Sequence, residues 1–257
     1  MSKTLTPREK IARLRLIRCA GIGPVTFRRL LDEYSDASTA IEALPERLRQ
    51  AGHRALAIPP EGEIEAEWVR TEKCEARILF FDDPLYPRLM KIVPDAPAAV
   101  TISGDVARLS QRSVAIVGAR NASVAGLRVA ETLATGLAEA GIVVVSGLAL
   151  GIDRAAHMAA LYPDCTVAAL AGGIDTIYPP ENKALRDDIA ARGRLITEAP
   201  MGTVPQGRHF PRRNRLIAGM SQGVVIVEGG LRSGTLITAK MTLGLWPRYF
   251  WGARLSA

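Results

Sequence analysis

Residues 207–221 read GRHFPRRNRLIAGMS, with Arg208, Arg212, Arg213 and Arg215 crowded around Asn214 and no acid inside the run. An arginine fork offers several N–H donors in a plane that matches phosphate and carboxylate oxygens. The run is therefore either a solvated basic turn or a receiver for an anion. Four other stretches have compatible chemistry: GARNAS (118–123), SGLALGID (146–153), AGGIDTIYPPENK (171–183) and EGGLRSGTLITA (228–239). Each carries glycine, which lets backbone approach a ligand closely, and each runs into a segment that reads as a helix start, where free N–H groups and the helix dipole favour negative charge. Arg120 lies in the first loop and Arg232 in the last.

Several other chemistries are excluded. GARNAS has one glycine where a dinucleotide fingerprint wants three, and neither a GxxxxGK[ST] loop nor a GxSxG elbow occurs. The three histidines (His53, His157, His209) and three cysteines (Cys19, Cys74, Cys165) form no metal-ligand spacing, so neither a metal nor a cofactor is expected. Unpaired cysteines, a charged start and no apolar run near the roughly 20 residues of a membrane span point to the cytoplasm. A net charge of +7 suits an anionic partner.

The positioning elements fall into two textures. Residues 8 to 74 read as helices only: REKIARLRLIRCAG with Ile11, Leu14, Leu16 and Ile17 on a face, then PVTFRRLLDEY opening at Pro24, then separate short helices at DASTAIEAL and PERLRQAG, then EGEIEAEWVRTEKC. From residue 76 short apolar runs appear, followed by a regular beat of SVAIVG, IVVVSG, TVAALAGG, RLITE and GVVIVEGG alternating with amphipathic helices, the first capped by Ser123 and closed at Gly141. Continuous β-branched strands alternating with helices predict a doubly wound α/β domain on a parallel sheet. Ligands of such sheets lie beyond the strand carboxyl ends, where all four glycine loops emerge.

Each candidate has a structural alternative. Asp153 and Asp175 are expected to brace loops rather than react, and His157 to be a satisfied mid-helix contact. Tyr178 is read as loop packing, and Asn214 as a brace of its own loop. One of the arginines is expected to pair with Asp153 or Glu228. The GIGPVTFRRLL segment (21–31) could offer Gly21–Gly23 amides to a phosphate beside Arg28 and Arg29, or be a plain helix-to-helix turn.

In this order, VAIVGARNAS, SGLALGID, GGIDTIYPPENK, HFPRRNRLIAGMS and EGGLRSGTLITA resemble the DNA-processing protein A family (DprA, also called Smf) from about residue 76 to about 240. The upstream DDPLYPRLMKIVPDAPAAVTISGD is similar to that family's lead-in. The resemblance implies an extended Rossmann-like domain (76–257) behind a small all-α, SAM-like or helix-hairpin-helix-like domain (1–75). It implies a non-catalytic single-stranded DNA binder that protects incoming strands in natural transformation, loads the RecA recombinase and acts as a homodimer. Arg120 matches the family's first-loop arginine, Lys183 falls where the family has a DNA-contacting lysine, and Arg212, Arg213 and Arg215 match its FPxRNR run. The expected DNA- and phosphate-binding set is Gly118, Arg120, Asn121, Ser146, Gly147, Gly151, Gly173, Lys183, Arg212, Arg213, Asn214, Arg215, Gly229, Gly230, Ser233, Gly234 and Thr235. Aromatic residues make up only 5% of the chain, so backbone grip is expected to dominate over base stacking, with Tyr178 and Phe210 as the exceptions.

From about residue 241, KMTLGLWPRYFWGARLSA departs from the family's continuation, and no winged-helix domain follows in this sequence. The alternative reading is a phosphoribohydrolase acting on nucleoside monophosphates. Its PGGxGTxxE loop would correspond to EGGLRSGTLIT, where Thr238 stands in place of the carboxylate.

Overall fold

The computed structural model describes residues 5–50, 52, 55–162 and 164–229, together with the backbone of residues 250–253. Four helices come first: α1 (Pro7–Arg18), α2 (Pro24–Tyr34), α3 (Ala37–Gln50) and α4 (Glu61–Lys73). Thr6 caps α1 by accepting from Glu9 N, and prolines open α1 and α2, where a missing N–H costs nothing. The two short helices expected over residues 36–52 are one, with Pro45 inside it. Asp36 accepts from Thr39 N at 2.8 Å at its start, and Ala37, Ala40 and Leu44 form a buried stripe that leads up to the proline, with the half-buried Leu48 continuing it beyond. Packing of that stripe outweighs the hydrogen bond that Pro45 removes.

Among the described residues eight strands follow in one sheet, ordered β1-β2-β6-β5-β4-β3-β7-β8, with β1 (Ala76–Phe80), β2 (Ala99–Gly104), β3 (Ser113–Gly118), β4 (Val143–Ser146), β5 (Thr166–Ala169), β6 (Arg194–Thr197), β7 (Val224–Val227) and β8 (Phe250–Ala253). From β6 to β8 every pairing is parallel, as the strand texture predicts. The sheet is mixed overall, because β1 and β2 form an antiparallel extension joined to β6. The atypical tail contributes β8, paired parallel to β7.

Helices α5 (Val124–Glu139), α6 (Ile152–Ala160) and α7 (Lys183–Arg192) cover one face, and α8 (His209–Met220) covers the other. Strand alternation sets this: Val143 and Val145 pack toward Leu216, Ile217 and Met220 of α8, whereas Val144 packs toward the alanine stripe Ala130, Ala134 and Ala138 of α5. Ser123 caps α5 through Gly126 N at 3.0 Å, and Gly141 closes it at φ +69°. No helix among the described residues is long and apolar enough to cross a membrane.

The helical segment docks on the antiparallel extension. Leu14 and Ile64 share a core with Ile78, Phe80 and Ala99. Arg13 reaches Asp82 at 2.8 Å, and Arg28 donates to the carbonyl of Ala96 at 3.0 Å while lying over the ring of Phe81.

Candidate nucleic-acid interface

The loops after β3, β4 and β5 and the start of α8 meet at the carboxyl edge of the parallel strands, as the alternating order requires. Helix α8 begins at His209, so the arginine run lies inside its first two turns rather than ahead of it. At 3.6 residues per turn a helix gives neighbouring positions different surroundings. Arg213 points under the rim. Its Nη1 donates to the carbonyl of Gly147 and, at 2.9 Å, to that of Ala169, tying the ends of β4 and β5 together. Arg212 and Arg215, one turn apart, both reach Glu198. Arg215 is buried, holds Glu198 as a close ion pair and donates to the carbonyl and carboxylate of Asp95 at 2.8 and 2.9 Å. Arg212 keeps 61% of its side chain exposed, with its Nε 3.3 Å from Glu198. Of the three, only Arg212 presents its charge to solvent.

Glu198 and Asp95 were not among the expected residues. A lone acid just after the RLIT strand, facing an arginine run, was the available signal. The expected pairing of an arginine with Asp153 is present as attraction: burial pushes the Asp153 carboxyl up and the Arg213 guanidinium down, and each opposes the other's shift. Among the described residues Glu228 takes no arginine. It accepts from Ser123 N at 2.8 Å and from the Ser123 hydroxyl, which holds its pKa below the usual range.

The expected amide cradle after β4 is otherwise engaged. Gly147 N and Ala149 N donate to the Asp153 carboxylate at 3.0 and 3.4 Å, and Leu148 N donates to His157 Nε2 at 3.3 Å. These N–H groups hold the loop and are not open to phosphate. Gly147 is required because the Arg213 guanidinium occupies the space its side chain would need. Gly151 sits at φ +75° with the carbonyls of Ala119 and Arg120 where a Cβ would stand, so it joins the first two loops. Ser146 is buried and donates to the carbonyl of Ile116 at 2.6 Å, a bond that places its hydroxyl inside the sheet rather than on the rim.

His157 is the satisfied contact expected. Its Nδ1 lies 2.7 Å from Thr166 Oγ1, which donates to Val144 O, and burial followed by the Arg213 charge pushes its pKa down to about 3. Asp175 braces its loop by accepting from Gly202 N at 2.8 Å, and that bond runs beside Gly173, whose N donates to Thr203 O. Asn182, also unforeseen, is buried. It donates to the carbonyls of Leu148 and Ala149 at 3.0 and 3.3 Å and accepts from Arg154 at 2.7 Å, fixing the loop after β5 against the loop after β4.

Cations and one aromatic ring stand out among the side chains left facing solvent. Arg120 and Asn121 are exposed past Gly118 at the end of β3, and the Arg120 guanidinium stands 5.2 Å from the Phe210 ring centre. Phe210 in turn meets the exposed Tyr178 at 5.5 Å between centroids, so Tyr178 takes part in an aromatic pair rather than in loop packing alone. These rings wall a small cavity of about 80 Å³ over Leu148, Ala171 and Pro205. Lys183 is exposed at the start of α7, 2.7 Å from Asp187, and Arg208 is exposed at the cap of α8. Asn214 is buried in α8. Gly229 is the last described residue of its loop, and Gly230, Arg232, Ser233, Gly234 and Thr235 lie outside the described residues. Arg28 and Arg29 divide: Arg28 holds the carbonyls of Pro94 and Ala96, and Arg29 is exposed.

The sequence and the fold have known counterparts. The profile of DNA recombination-mediator protein A matches residues 77–248, and that of the DprA-like N-terminal HHH domain matches residues 7–69. Protein Smf of Synechocystis sp. is 36% identical over 235 residues, 86% of this chain and 58% of the relative. The DNA processing protein DprA of Bacillus subtilis is 43% identical over 160 residues, 62% of this chain and 54% of the relative. The chain thus spans little more than half the length of these curated relatives. The crystal structure of DNA processing protein A from Streptococcus pneumoniae superposes with a TM-score of 0.75 at 29% identity, covering 95% of this chain and 85% of that one. The DNA processing protein A from Helicobacter pylori, described for its single-stranded DNA binding mode, superposes with a TM-score of 0.62 at 31% identity, covering 66% of this chain and 77% of that one. Fold, motif order and sequence agree: the chain belongs to the DNA recombination-mediator protein A (DprA/Smf) family.

Proposed function

We propose that the rim binds single-stranded DNA without sequence preference, that the protein shields incoming strands and passes them to the RecA recombinase during DNA uptake, and that it works without catalysis as a cytoplasmic homodimer. The helical residues 1–75 and the α/β residues 76–257 act as its two units. One observation carries the reading: an exposed cation, Arg120, stands against an aromatic pair, the half-buried Phe210 and the exposed Tyr178, at the carboxyl edge of the sheet. A phosphate grip beside a stacking face is the pairing that sequence-tolerant strand binding requires. Family membership and the strand-binding H. pylori relative support the same reading. RecA loading and dimerisation rest on the family resemblance. The hydrolase alternative finds little support, because the Glu228 carboxylate is engaged by Ser123.

A titration of labelled oligodeoxythymidine and of a duplex of equal length, at two salt concentrations, tests it. Tighter binding to the single strand, weakening with salt, is the expected result. Equal or stronger duplex binding, or no binding at low salt, overturns it.

A further inference from the structure

The loop after β4 lines the aromatic cavity, and every backbone polar group of residues 147–149 goes to a side chain of another element. The amides go to α6: Gly147 N and Ala149 N to the Asp153 carboxylate, and Leu148 N to His157 Nε2. The carbonyls go elsewhere. Gly147 O accepts from Arg213 of α8, whereas Leu148 O and Ala149 O both accept from one side chain, Asn182, at 3.0 and 3.3 Å. Leu148 sits at φ +55°, a left-handed backbone that a leucine keeps only where its surroundings impose it. It is 1% exposed and lines the cavity together with Tyr178 and Phe210.

Asn182 is buried and held from its other side as well. Its Oδ1 accepts from Arg154 Nη1 at 2.7 Å, and the same nitrogen donates to Glu181 O at 3.1 Å. Its backbone N–H donates to Pro179 O at 3.0 Å, closing the turn that follows Tyr178. One side chain therefore joins two parts of the cavity: the floor, through Leu148 and Ala149, and the ring wall, through the turn after Tyr178. Phe210, the other ring, belongs to α8 and is placed independently of Asn182. The 5.5 Å between the two ring centres thus depends on where Asn182 holds residues 178–182. An alanine there would leave two carbonyls without their donor and the Arg154 fork without its acceptor.

We infer that Asn182 is a positioning residue for strand binding: it touches no DNA, but sets the Tyr178 ring against Phe210 over the Leu148 floor, so that a base meets a preformed stacking face. Ordering a loop and its side chains at the moment of binding costs affinity, and Asn182 removes that cost in advance. The inference rests on the strand-binding reading above and adds to it the residue that orders the stacking face.

Fluorescence anisotropy with oligodeoxythymidine across a salt series tests it. Asn182→Ala is expected to weaken binding roughly tenfold at every salt concentration with an unchanged slope, because a stacking geometry is lost and no phosphate contact is. Tyr178→Ala should lose a similar factor. In the Asn182→Ala, Tyr178→Ala double variant the losses should overlap, giving about tenfold in all rather than the roughly hundredfold of independent sites. Asn182→Ala combined with Arg120→Ala should instead multiply. Arg154→Ala, at a half-buried position, leaves the Asn182 amide in place without its anchor and should show a smaller loss at the same unchanged slope. Leu109→Ala separates positioning from stability: Leu109 is buried beyond the end of β2, at the opposite edge of the sheet. That variant should melt lower, as Asn182→Ala does, yet bind as the wild type does. Wild-type affinity in Asn182→Ala and Arg154→Ala, beside lost affinity in Tyr178→Ala, overturns the positioning role and leaves the rim reading intact. Losses of Asn182→Ala and Tyr178→Ala that multiply, a shallower slope in Asn182→Ala, or an equal loss of affinity in Leu109→Ala overturn it too. Wild-type affinity in both Tyr178→Ala and Arg120→Glu overturns the rim reading itself.

Discussion

Arg213 and Gly147 occupy one space: the guanidinium of the first stands where a side chain of the second would be, and donates to its carbonyl. An arginine that the sequence places in a DNA-binding run is thereby built into the sheet edge. Replacing it should damage the fold more than the interface. Arg213→Ala leaves the Gly147 and Ala169 carbonyls and the buried Asp153 carboxylate without their cation, and should lower stability by about 3 kcal/mol in chemical denaturation. Arg212→Ala, at an exposed position, should stay within about 0.5 kcal/mol of wild type.

Arg215 should behave like Arg213. Its removal takes the main cation from Glu198, whose side chain is only 9% exposed, and frees Asp95 from the loop it anchors. Arg215→Ala is expected to lose about 2 kcal/mol, less than a fully stranded charge because Arg212 remains 3.3 Å from Glu198. A thermal melt of the Arg212→Ala, Arg215→Ala double variant should show a loss greater than the sum of the singles.

The aromatic pair and the cation beside it should separate by salt dependence. Phe210→Ala removes a stacking face and should cost about 1–3 kcal/mol of strand affinity with an unchanged salt slope. Arg120→Ala removes a phosphate contact and should lower the slope by about 0.7. Anisotropy titrations across a salt series measure both.

His157 gives the fold a pH signature. Its folded pKa, about 3, lies below the ordinary value of 6.5. The unfolded chain therefore binds the proton first as pH falls. The contribution is complete above pH 6.5 and declines toward pH 3, with a loss of about 2 kcal/mol by pH 5. Denaturation curves at pH 7 and pH 5 should show that decline, and His157→Gln should reduce it.

The strands were legible because buried parallel strands are continuous apolar runs bounded by glycine, as SVAIVG shows. The antiparallel β1–β2 extension was not, since ARILF and AVTISG have the same apolar texture whichever way they pair. At the site, residue type gave the cations but not their division. Whether Arg212 or Arg213 is exposed depends on the phase of α8, which turned on a helix start several residues earlier than the apolar run indicated. The loop amides were misjudged for a related reason. Asp153 and His157 come from the next helix and fold back onto residues 147–149, a contact that glycine content cannot reveal.

The most direct test of the account is a salt titration of single-stranded DNA binding by the Arg120→Glu, Arg212→Glu double variant beside the wild type. The account predicts a variant that melts within a few degrees of the wild type, loses at least tenfold in affinity at low salt and shows a shallower slope. A folded variant that binds the strand with wild-type affinity and slope would contradict it.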